Sequence, residues 1–167
     1  MDKPCPLQPE HRVSSFDCGE ASLNVYIQKY ALQSQRSHGA VTYVALLDNK
    51  VVGYYTLLYG SISREQAPER MVKGLGAYSA IPVIILARLA VDRSMQGKGL
   101  GKGLLKDSLY RSLSASALAG LRAFIIHAKD DTARAFYQQY DFEPLPENSL
   151  HLYRLISDLG RDLKKRS

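Results

Sequence analysis

A glycine-rich segment in the second half of the sequence has the composition of an anion-binding turn. The segment Gln96-Gly97-Lys98-Gly99-Leu100-Gly101 follows an apolar run and opens a stretch with helical periodicity. The unpaired N–H groups of a first helical turn point at an anion, and the helix dipole favours its negative charge. Glycines let the backbone approach a ligand closely, and Lys98 and Lys102 add positive charge. The segment therefore predicts a phosphate-binding turn.

Two common phosphate motifs do not match this segment. The P-loop pattern fails because Lys102 is followed by Gly103. The dinucleotide pattern G-x-G-x-x-G fails because its sixth position, counted from Gly97, is Lys102. A dinucleotide fold also places its motif after the first strand, whereas here at least three predicted strands come before it. Both nucleotide interpretations are therefore excluded by sequence and by position.

Composition predicts an ordinary globular domain. The chain has 167 residues, of which 46% are apolar and 23% charged, which fits one domain over 1–167 with a core of about 14–156. Cys5 and Cys18 lack metal-ligand spacing and are expected to be free thiols, with no metal site. No apolar run reaches the roughly 18 residues of a membrane helix, and the N-terminus lacks an apolar signal core. A cytoplasmic protein without membrane contact is expected.

Charge predicts polyanionic partners. Lys and Arg total 22 against 16 Asp and Glu, a formal net charge of +6. Such a balance favours nucleic acid or phosphate-bearing cofactors. Part of the excess lies in the C-terminal end, 161–166, which is expected to be a solvated tail.

The hydrophobic pattern predicts a mixed α/β domain in the order strand, helix, strand, strand, strand, helix, strand, helix, strand, with one central strand–helix–strand crossover. The last five of these six strands are predicted at Val41–Leu47, Val51–Ile62, Val83–Val91, Arg122–Ala128 and Ser149–Ile156. Val83–Val91 reads as a central strand buried on both faces. The residues between Ser63 and Ala80 read as a long connection with a short helix.

Three helices position the polar residues. The first should begin at Asp17 as N-cap, with Glu20 three residues later. Its apolar stripe comprises Leu23, Tyr26, Ile27, Tyr30, Ala31 and Ser34, which leaves Lys29, Gln33 and Arg36 facing solvent. The second runs from about Gly99 to Ala119 and buries Leu104, Leu105 and Leu109. Asp130 or Asp131 should cap the third, whose stripe is Ala133, Phe136, Tyr137 and Tyr140.

Two motifs resemble those of the GNAT acetyltransferases. Gln96, Gly99 and Gly101 match Q-x-x-G-x-G after Leu89-Ala90-Val91-Asp92, and Ala133-Arg134-Ala135-Phe136-Tyr137 with Asp141-Phe142 resembles the closing motif. Asp141 stands where that pattern has glycine, which could alter the turn. The resemblance implies an α/β (α+β) GNAT fold: a mixed, mostly antiparallel sheet flanked by helices, whose splayed central strands hold acetyl-CoA.

The resemblance also implies residue roles. Acetyl-CoA would be bound by Leu89, Ala90, Val91, Gln96, Gly97, Lys98, Gly99, Leu100, Gly101, Lys102, Ala133 and Phe136. Tyr137 would be the general acid that protonates the leaving thiolate, the alternative being that it only completes its helical stripe. His127 reads as a hydrogen-bonded core residue or a catalytic participant, and Arg88 as half of an ion pair or a phosphate contact. No general base is assigned, and none is needed if the amine reacts in its neutral form.

Longer stretches resemble the GNAT toxins of bacterial type II toxin–antitoxin systems. The matching segments are 16–20, 53–56, 81–92 and 97–101, within a similarity that runs from about Ser14 to Leu155. The resemblance implies acetylation of the α-amine of aminoacyl-tRNA, inhibited translation, a homodimer, a ribbon-helix-helix antitoxin, and operator DNA contacted only through the antitoxin complex. Lys29, Arg36, Arg70, Lys73, Arg88 and Arg93, together with Arg64, are candidate RNA contacts.

Two alternatives remain open at this point. The acceptor could instead be a protein lysine, an N-terminus or a small amine, although a cationic acceptor would favour an acidic cleft. The chain could also be an antitoxin-bound, DNA-binding regulator with a vestigial cofactor site, against which the intact glycine segment and Tyr137 argue. Which aminoacyl-tRNA would be chosen does not follow from residue spacing.

Overall fold

The computed structural model describes residues 1–76 and 80–165, which form a mixed α/β arrangement. The strands are β1 (Cys5–Pro6), β2 (Val41–Leu47), β3 (Lys50–Ser63), β4 (Ala80–Val91), β5 (Ala123–His127), β6 (Glu143–Leu145) and β7 (Asn148–Leu155). The helices are α1 (Ala21–Val25), α2 (Ala31–Arg36), α3 (Glu69–Val72), α4 (Leu100–Ser116), α5 (Asp131–Gln138) and α6 (Ile156–Lys165). No helix within the described ranges is long and apolar enough to cross a membrane.

The described strands form a sheet in the order β1-β2-β3-β4-β5-β7-β6. The pairs β1–β2, β2–β3, β5–β7 and β6–β7 are antiparallel. In contrast, β4 and β5 are parallel and joined through α4, as the predicted central crossover requires. Their ladder runs from Val83–Ala123 to Leu86–Ile126. The mixed, mostly antiparallel sheet predicted from the sequence is therefore confirmed.

The chain divides into two compact units, each assembled from distant segments. The first contains Met1–Leu58 and Ala87–Ser108. Its core joins Leu7, Phe16, Ile27, Val44 and Tyr54, with the Phe16 and Tyr54 rings edge to face at 5.4 Å between centroids. Gly53 lets β3 approach α4 closely, since a Cβ there would lie 3.0 Å from side-chain atoms of Leu100 and Leu104. The predicted apolar face of α4 is accordingly buried.

The second unit contains Tyr59–Leu86 and Leu109–Ser167. Its core packs Met71 of α3 with residues of β4, β5 and β7, among them Ile81, Val83, Ile125 and Leu155. The Arg122 guanidinium donates hydrogen bonds to the carbonyl oxygens of Arg70, Met71 and Lys73. Arg122 therefore satisfies carbonyl groups at the C-terminal end of α3, which have no partner within so short a helix.

The prediction for the first helix was wrong in two respects. Helix α1 begins at Ala21 with Glu20 as N-cap, whereas the Asp17 carboxylate accepts hydrogen bonds from the Gly19 N–H and the Asn24 amide. A π-helical turn, Tyr26–Tyr30, then separates α1 from α2. Because that turn shifts the helical phase, Tyr30 of the predicted apolar stripe is 58% exposed. Lys29, Gln33 and Arg36 are exposed, as predicted.

The C-terminal helix was not predicted. Residues 156–165 form α6, in which Arg161, Lys164 and Lys165 are exposed, as expected of a solvated end, but Leu159 is fully buried. Ion pairs from Asp158 to Arg70 and Arg161, and from Asp162 to Arg154, hold the helix. Leu7 and Leu159 are buried although both lie outside the predicted core of 14–156. Strand β6 was not predicted, and β4 is only partly buried from Ala87 onward, with Ala90 as an exception.

Candidate active site

The glycine-rich turn of the first unit is shaped by its own side chains and backbone. Gln96 donates from its amide nitrogen to the carbonyl oxygens of Val91, at 2.9 Å, and Cys18, at 3.0 Å. Its side chain therefore fastens the turn to the end of β4 and leaves ligand binding to the backbone. Gly97 and Gly99 have φ angles of +74° and +86°, a conformation that residues with a Cβ rarely adopt. Open space surrounds both Cα positions.

The amides of this turn are free to bind a ligand. Six consecutive N–H groups, those of residues 97–102, donate to no acceptor in the described part of the chain. The first paired amide is that of Gly103, which donates to the Gly99 carbonyl at 3.1 Å. The open turn, the unpaired amides and the exposed Lys98 and Lys102 give the start of α4 the chemistry that binding an anion requires.

A buried carboxylate just before the glycine-rich turn connects neighbouring segments by hydrogen bonds. Asp92 is 5% exposed and accepts hydrogen bonds from the Asp17 N–H, the Ser94 N–H and the Ser94 hydroxyl. Burial opposes ionisation, but the hydrogen bonds from Ser94 and Asp17 prevail and lower the pKa of Asp92 below its ordinary value. The Arg93 N–H donates to the Asp17 carbonyl, which ties the N-terminal segment to the approach of the turn.

Arg88 of the first unit lacks the ion pair that one sequence interpretation required. Its guanidinium carbon lies 3.6 Å from the centroid of the Tyr26 ring, a cation–π contact. Arg88 is half-buried, and its guanidinium forms no hydrogen bond or ion pair with any described residue. The N–H donors of this guanidinium are therefore available to an anion from outside the chain.

The other candidate RNA contacts differ in their surroundings. Lys29 and Arg36 are exposed in the first unit, where Arg93 forms an ion pair of 3.4 Å with Asp17. In the second unit, Lys73 is exposed, and Arg70 binds Asp158 at 2.8 Å. Arg64 donates to the Gly76 carbonyl. Arg70 and Arg64 therefore have structural roles that the sequence did not reveal.

Tyr137 of the second unit combines a buried ring with an accessible hydroxyl. Helix α5 begins with Asp130 as N-cap, whose carboxylate accepts from the Ala133 N–H at 2.8 Å, as predicted. The Tyr137 ring packs edge to face on Phe136 and Phe142. Its hydroxyl forms no hydrogen bond with any described residue. In the described part of the chain, every fully buried side-chain nitrogen or oxygen atom has a hydrogen-bond partner, so this hydroxyl is not among the fully buried atoms. The hydroxyl therefore reaches the surface, and burial raises the pKa of Tyr137.

His127, predicted as a hydrogen-bonded core residue or a catalytic participant, does not lie in the core. It is exposed at the end of β5 and lies opposite His151 of β7 in the antiparallel register. The two imidazole rings stack with centroids 4.0 Å apart. Both histidines line a cavity of about 400 Å³ in the second unit.

Comparison with known proteins identifies the family. The family described as "Acetyltransferase (GNAT) domain" matches residues 38–144. The tRNA-acetylating toxin of Mycobacterium tuberculosis is 44% identical over 146 residues, which cover 87% of each chain. The chain belongs to the GNAT acetyltransferase family.

Solved structures agree with this GNAT assignment. The structure of AtaT complexed with acetyl-methionyl-tRNAfMet superposes with a TM-score of 0.87 at 28% identity, covering 96% of this chain and 98% of that one. A tyrosine-to-phenylalanine mutant of the AtaT toxin, bound to the C-terminus of the antitoxin AtaR and to acetyl-CoA, superposes with a TM-score of 0.83 at 28% identity, covering 96% and 97%.

Within this GNAT acetyltransferase, the predicted site residues fall into two groups. The first unit contains Leu89, Ala90, Val91, residues 96–102, Lys29, Arg36, Arg88 and Arg93, and the second contains Ala133, Phe136, Tyr137, Arg70 and Lys73. Sequence reasoning missed the support from Asp92 and the pairing of His127 with His151. The second depends on the register of β5 and β7, which no local pattern reveals. Among the described residues, no cluster of three or more His, Cys, Asp or Glu could hold a metal.

Proposed function

We propose that this GNAT acetyltransferase transfers the acetyl group of acetyl-CoA to the α-amine of aminoacyl-tRNA and thereby inhibits translation. The unpaired amides of residues 97–102 carry the proposal, because they fit a pyrophosphate at a helix N-terminus. The choice of acceptor is supported by the tRNA-acetylating toxin that is 44% identical and by AtaT complexed with acetyl-methionyl-tRNAfMet.

The residues of the first unit fit acetyl-CoA in their chemistry. The amides of residues 97–102 would bind the pyrophosphate, and Gly97 and Gly99 have positive φ angles and open space where a Cβ would lie. Leu89, Ala90 and Val91 lie beyond the last β4–β5 pair along β4, so this stretch of strand would pair with the pantetheine arm. Ala133 and Phe136 of α5 are the remaining residues that we propose to contact acetyl-CoA. Acetyl-CoA supplies the activated thioester.

Tyr137 would act as the general acid. Attack of an amine on a thioester expels a thiolate, and its protonation prevents the reverse reaction. Because burial raises the pKa of Tyr137, the phenol stays protonated throughout the physiological range. The absence of a hydrogen-bond partner among the described residues leaves its proton free for this transfer.

Exposed cations would bind the RNA phosphates. The net charge of +6 supports a polyanionic substrate, and Lys29, Arg36, Lys73 and Arg93 are exposed. Arg88 differs from them because it is half-buried, is oriented by Tyr26 and lacks an ion pair with any described residue. We propose that Arg88 binds a phosphate of the acceptor RNA. Arg70 would contribute less to RNA binding, because it is paired with Asp158.

The proposed partners follow from the relatives. A ribbon-helix-helix antitoxin would neutralise the enzyme, since AtaT is bound by the C-terminus of the antitoxin AtaR. Operator DNA would be contacted through that complex, the enzyme would be a homodimer, and its place of action would be the cytoplasm, where charged tRNA is found.

The direct experiment offers one enzyme several acceptors. Radiolabelled acetyl-CoA is supplied with charged tRNA, deacylated tRNA, free amino acids, a polyamine and a lysine peptide. Label should enter charged tRNA and be released by alkali together with the amino acid. Equal rates on free amino acids or polyamines would contradict the tRNA assignment. Acetyl-CoA binding without transfer to any acceptor would favour the regulator with a vestigial site.

A further inference from the structure

The second unit contains a cavity of about 400 Å³ to which no role has been assigned above. Its apolar wall is formed by Ile62, Ile85, Ile125 and Leu145. Ile85 and Ile125 are register partners in the β4–β5 ladder, one step before its last pair. The cavity therefore lies where the two central parallel strands end their pairing.

The polar residues of this cavity favour a cationic or neutral guest. Glu147 is the one carboxylate that lines it, and neither lysine nor arginine does so, among the described residues. Gln66 and Asn148 add uncharged hydrogen-bonding groups. The charge of this lining is thus opposite in sign to the net charge of +6 of the whole chain, so the cavity is suited to an amine and not to a phosphate.

The stacked imidazoles of His127 and His151 lie at this cavity and make no hydrogen bond to any other described residue. Their ring nitrogens are thus available to a guest. Two rings stacked at 4.0 Å between centroids cannot both be protonated without strong repulsion. Together they can hold one proton, and Glu147 is the carboxylate that lines the same cavity.

The protonation state of His127 suits a base. Burial, and secondly the charge of His151, lower the pKa of His127 below its ordinary value. At neutral pH the imidazole is therefore unprotonated and able to accept a proton. An α-ammonium has an ordinary pKa of about 7.7–8.0, so much of any such acceptor arrives carrying a proton that it must lose before it can attack.

We propose that this cavity receives the α-amine of the acceptor and that the His127–His151 pair takes the proton from its ammonium form. The proposal rests on the function proposed above. One N–H bond of the ammonium breaks as an imidazole N–H bond forms. The neutral nitrogen then bonds to the thioester carbon, the carbon–sulfur bond breaks, and the sulfur leaves with the Tyr137 proton. The new amide nitrogen loses a second proton, which passes through solvent to the Tyr137 phenolate and restores the phenol. The histidine pair then releases its proton to solvent, so one proton is released overall.

The test compares pH profiles of kcat/KM on charged tRNA for wild type and His127→Asn. The variant should lose about 6- to 11-fold at pH 7, where only the neutral fraction of an amine with a pKa of about 7.7–8.0 can react without a base, and recover toward wild type above that pKa. That recovery distinguishes a lost base from a damaged fold, which would lower the rate at every pH. His38→Asn is the matched control, because His38 is exposed and its φ of +60° suits asparagine.

Titration of the histidines by NMR gives a second measurement that is independent of turnover. His151→Asn should raise the pKa of His127, because the neighbouring charge is gone. An unchanged pH profile in His127→Asn, with active wild type, would overturn the role of the pair. Wild type that acetylates no charged tRNA at any pH would instead contradict the proposed function.

Discussion

Tyr137, the proposed general acid, combines a fixed ring with an accessible hydroxyl through its position on α5. Its ring is buried against Phe136 and Phe142, which fixes its direction, while its hydroxyl reaches the surface. The same burial explains why the residue also completes an apolar helical stripe. The two interpretations open at the sequence level are therefore compatible, since one ring can serve packing and catalysis.

Replacement of Tyr137 by phenylalanine tests the acid directly. Tyr137→Phe keeps the ring contacts and removes the proton, so kcat should fall by about 10²- to 10⁴-fold with folding preserved. Tyr140→Phe, which alters a ring that packs on Phe136 just after the end of α5, should leave kcat unchanged. Calorimetric binding of acetyl-CoA should be equal in both variants. An unchanged rate in Tyr137→Phe would exclude the acid role.

Asp141 occupies a position that suits glycine. Its φ of +67° lies in the left-handed region, where a Cβ costs about 1–2 kcal/mol. We expect Asp141→Gly to raise the free energy of unfolding by about 1 kcal/mol in urea titrations. Asp141→Asn removes the charge and retains tolerance of this φ, so it serves as the control. If glycine proves no more stable than the wild type, backbone strain at this turn is negligible.

At the level of elements, the glycine turn offers a matched pair of substitutions. Gly99 and Gly103 both have open space at the Cβ position, but only Gly99 of the two has a positive φ, of +86°. Gly99→Ala should strain the turn by about 1–2 kcal/mol and weaken acetyl-CoA binding by about tenfold. Gly103→Ala lies within α4 and should bind normally, with stability raised by up to about 1 kcal/mol. Equal affinities in the two variants would contradict a conformational role of Gly99.

The hydrogen bonds of Asp92, which connect the end of β4 to the N-terminal segment, should stabilise the fold less at low pH. Because the pKa of Asp92 is lowered in the folded state, its stabilising effect is present above the ordinary value of about 3.9 and is lost as pH falls through the folded-state pKa. Asp92→Asn should destabilise by about 1.5–3 kcal/mol at pH 7 and reduce the loss of stability in acid.

Urea titrations at several pH values measure both effects. The exposed Asp48 provides the control, because its φ of +51° suits asparagine. Asp48→Asn should leave the acid dependence as it is. A parallel shift of the Asp92→Asn curve at every pH would contradict the linkage.

Local signals made much of the fold predictable, and long-range pairings limited the rest. The bounds of β2 and the buried leucines of α4 follow from periodicity, and the glycine turn follows from spacing. The π-helical turn after Val25 has no periodic signature in the sequence, so the prediction of which residues are buried became wrong at Tyr30. Helix α6 buries Leu159 and forms ion pairs with Arg70 and Arg154, which lie on distant elements. The His127–His151 pair depends on strand register.

At the scale of the whole molecule, each unit is built from both halves of the sequence. The glycine turn and Arg88 belong to the first unit, and Tyr137 and the histidine cavity belong to the second. Neither unit corresponds to a continuous fragment, because β3 and β4 each run through both. Experiments on either set of residues therefore require the full chain.

The central claim is that the acetyl group reaches the α-amine of an amino acid carried on tRNA. The most direct measurement is mass spectrometry of the aminoacyl-adenosine released by nuclease from charged tRNA after incubation with the enzyme and acetyl-CoA. We predict aminoacyl-adenosine heavier by one acetyl group on its amine, and almost none with Tyr137→Phe. Unmodified aminoacyl-adenosine, with the acetyl label found on protein or on free amines, would contradict the account.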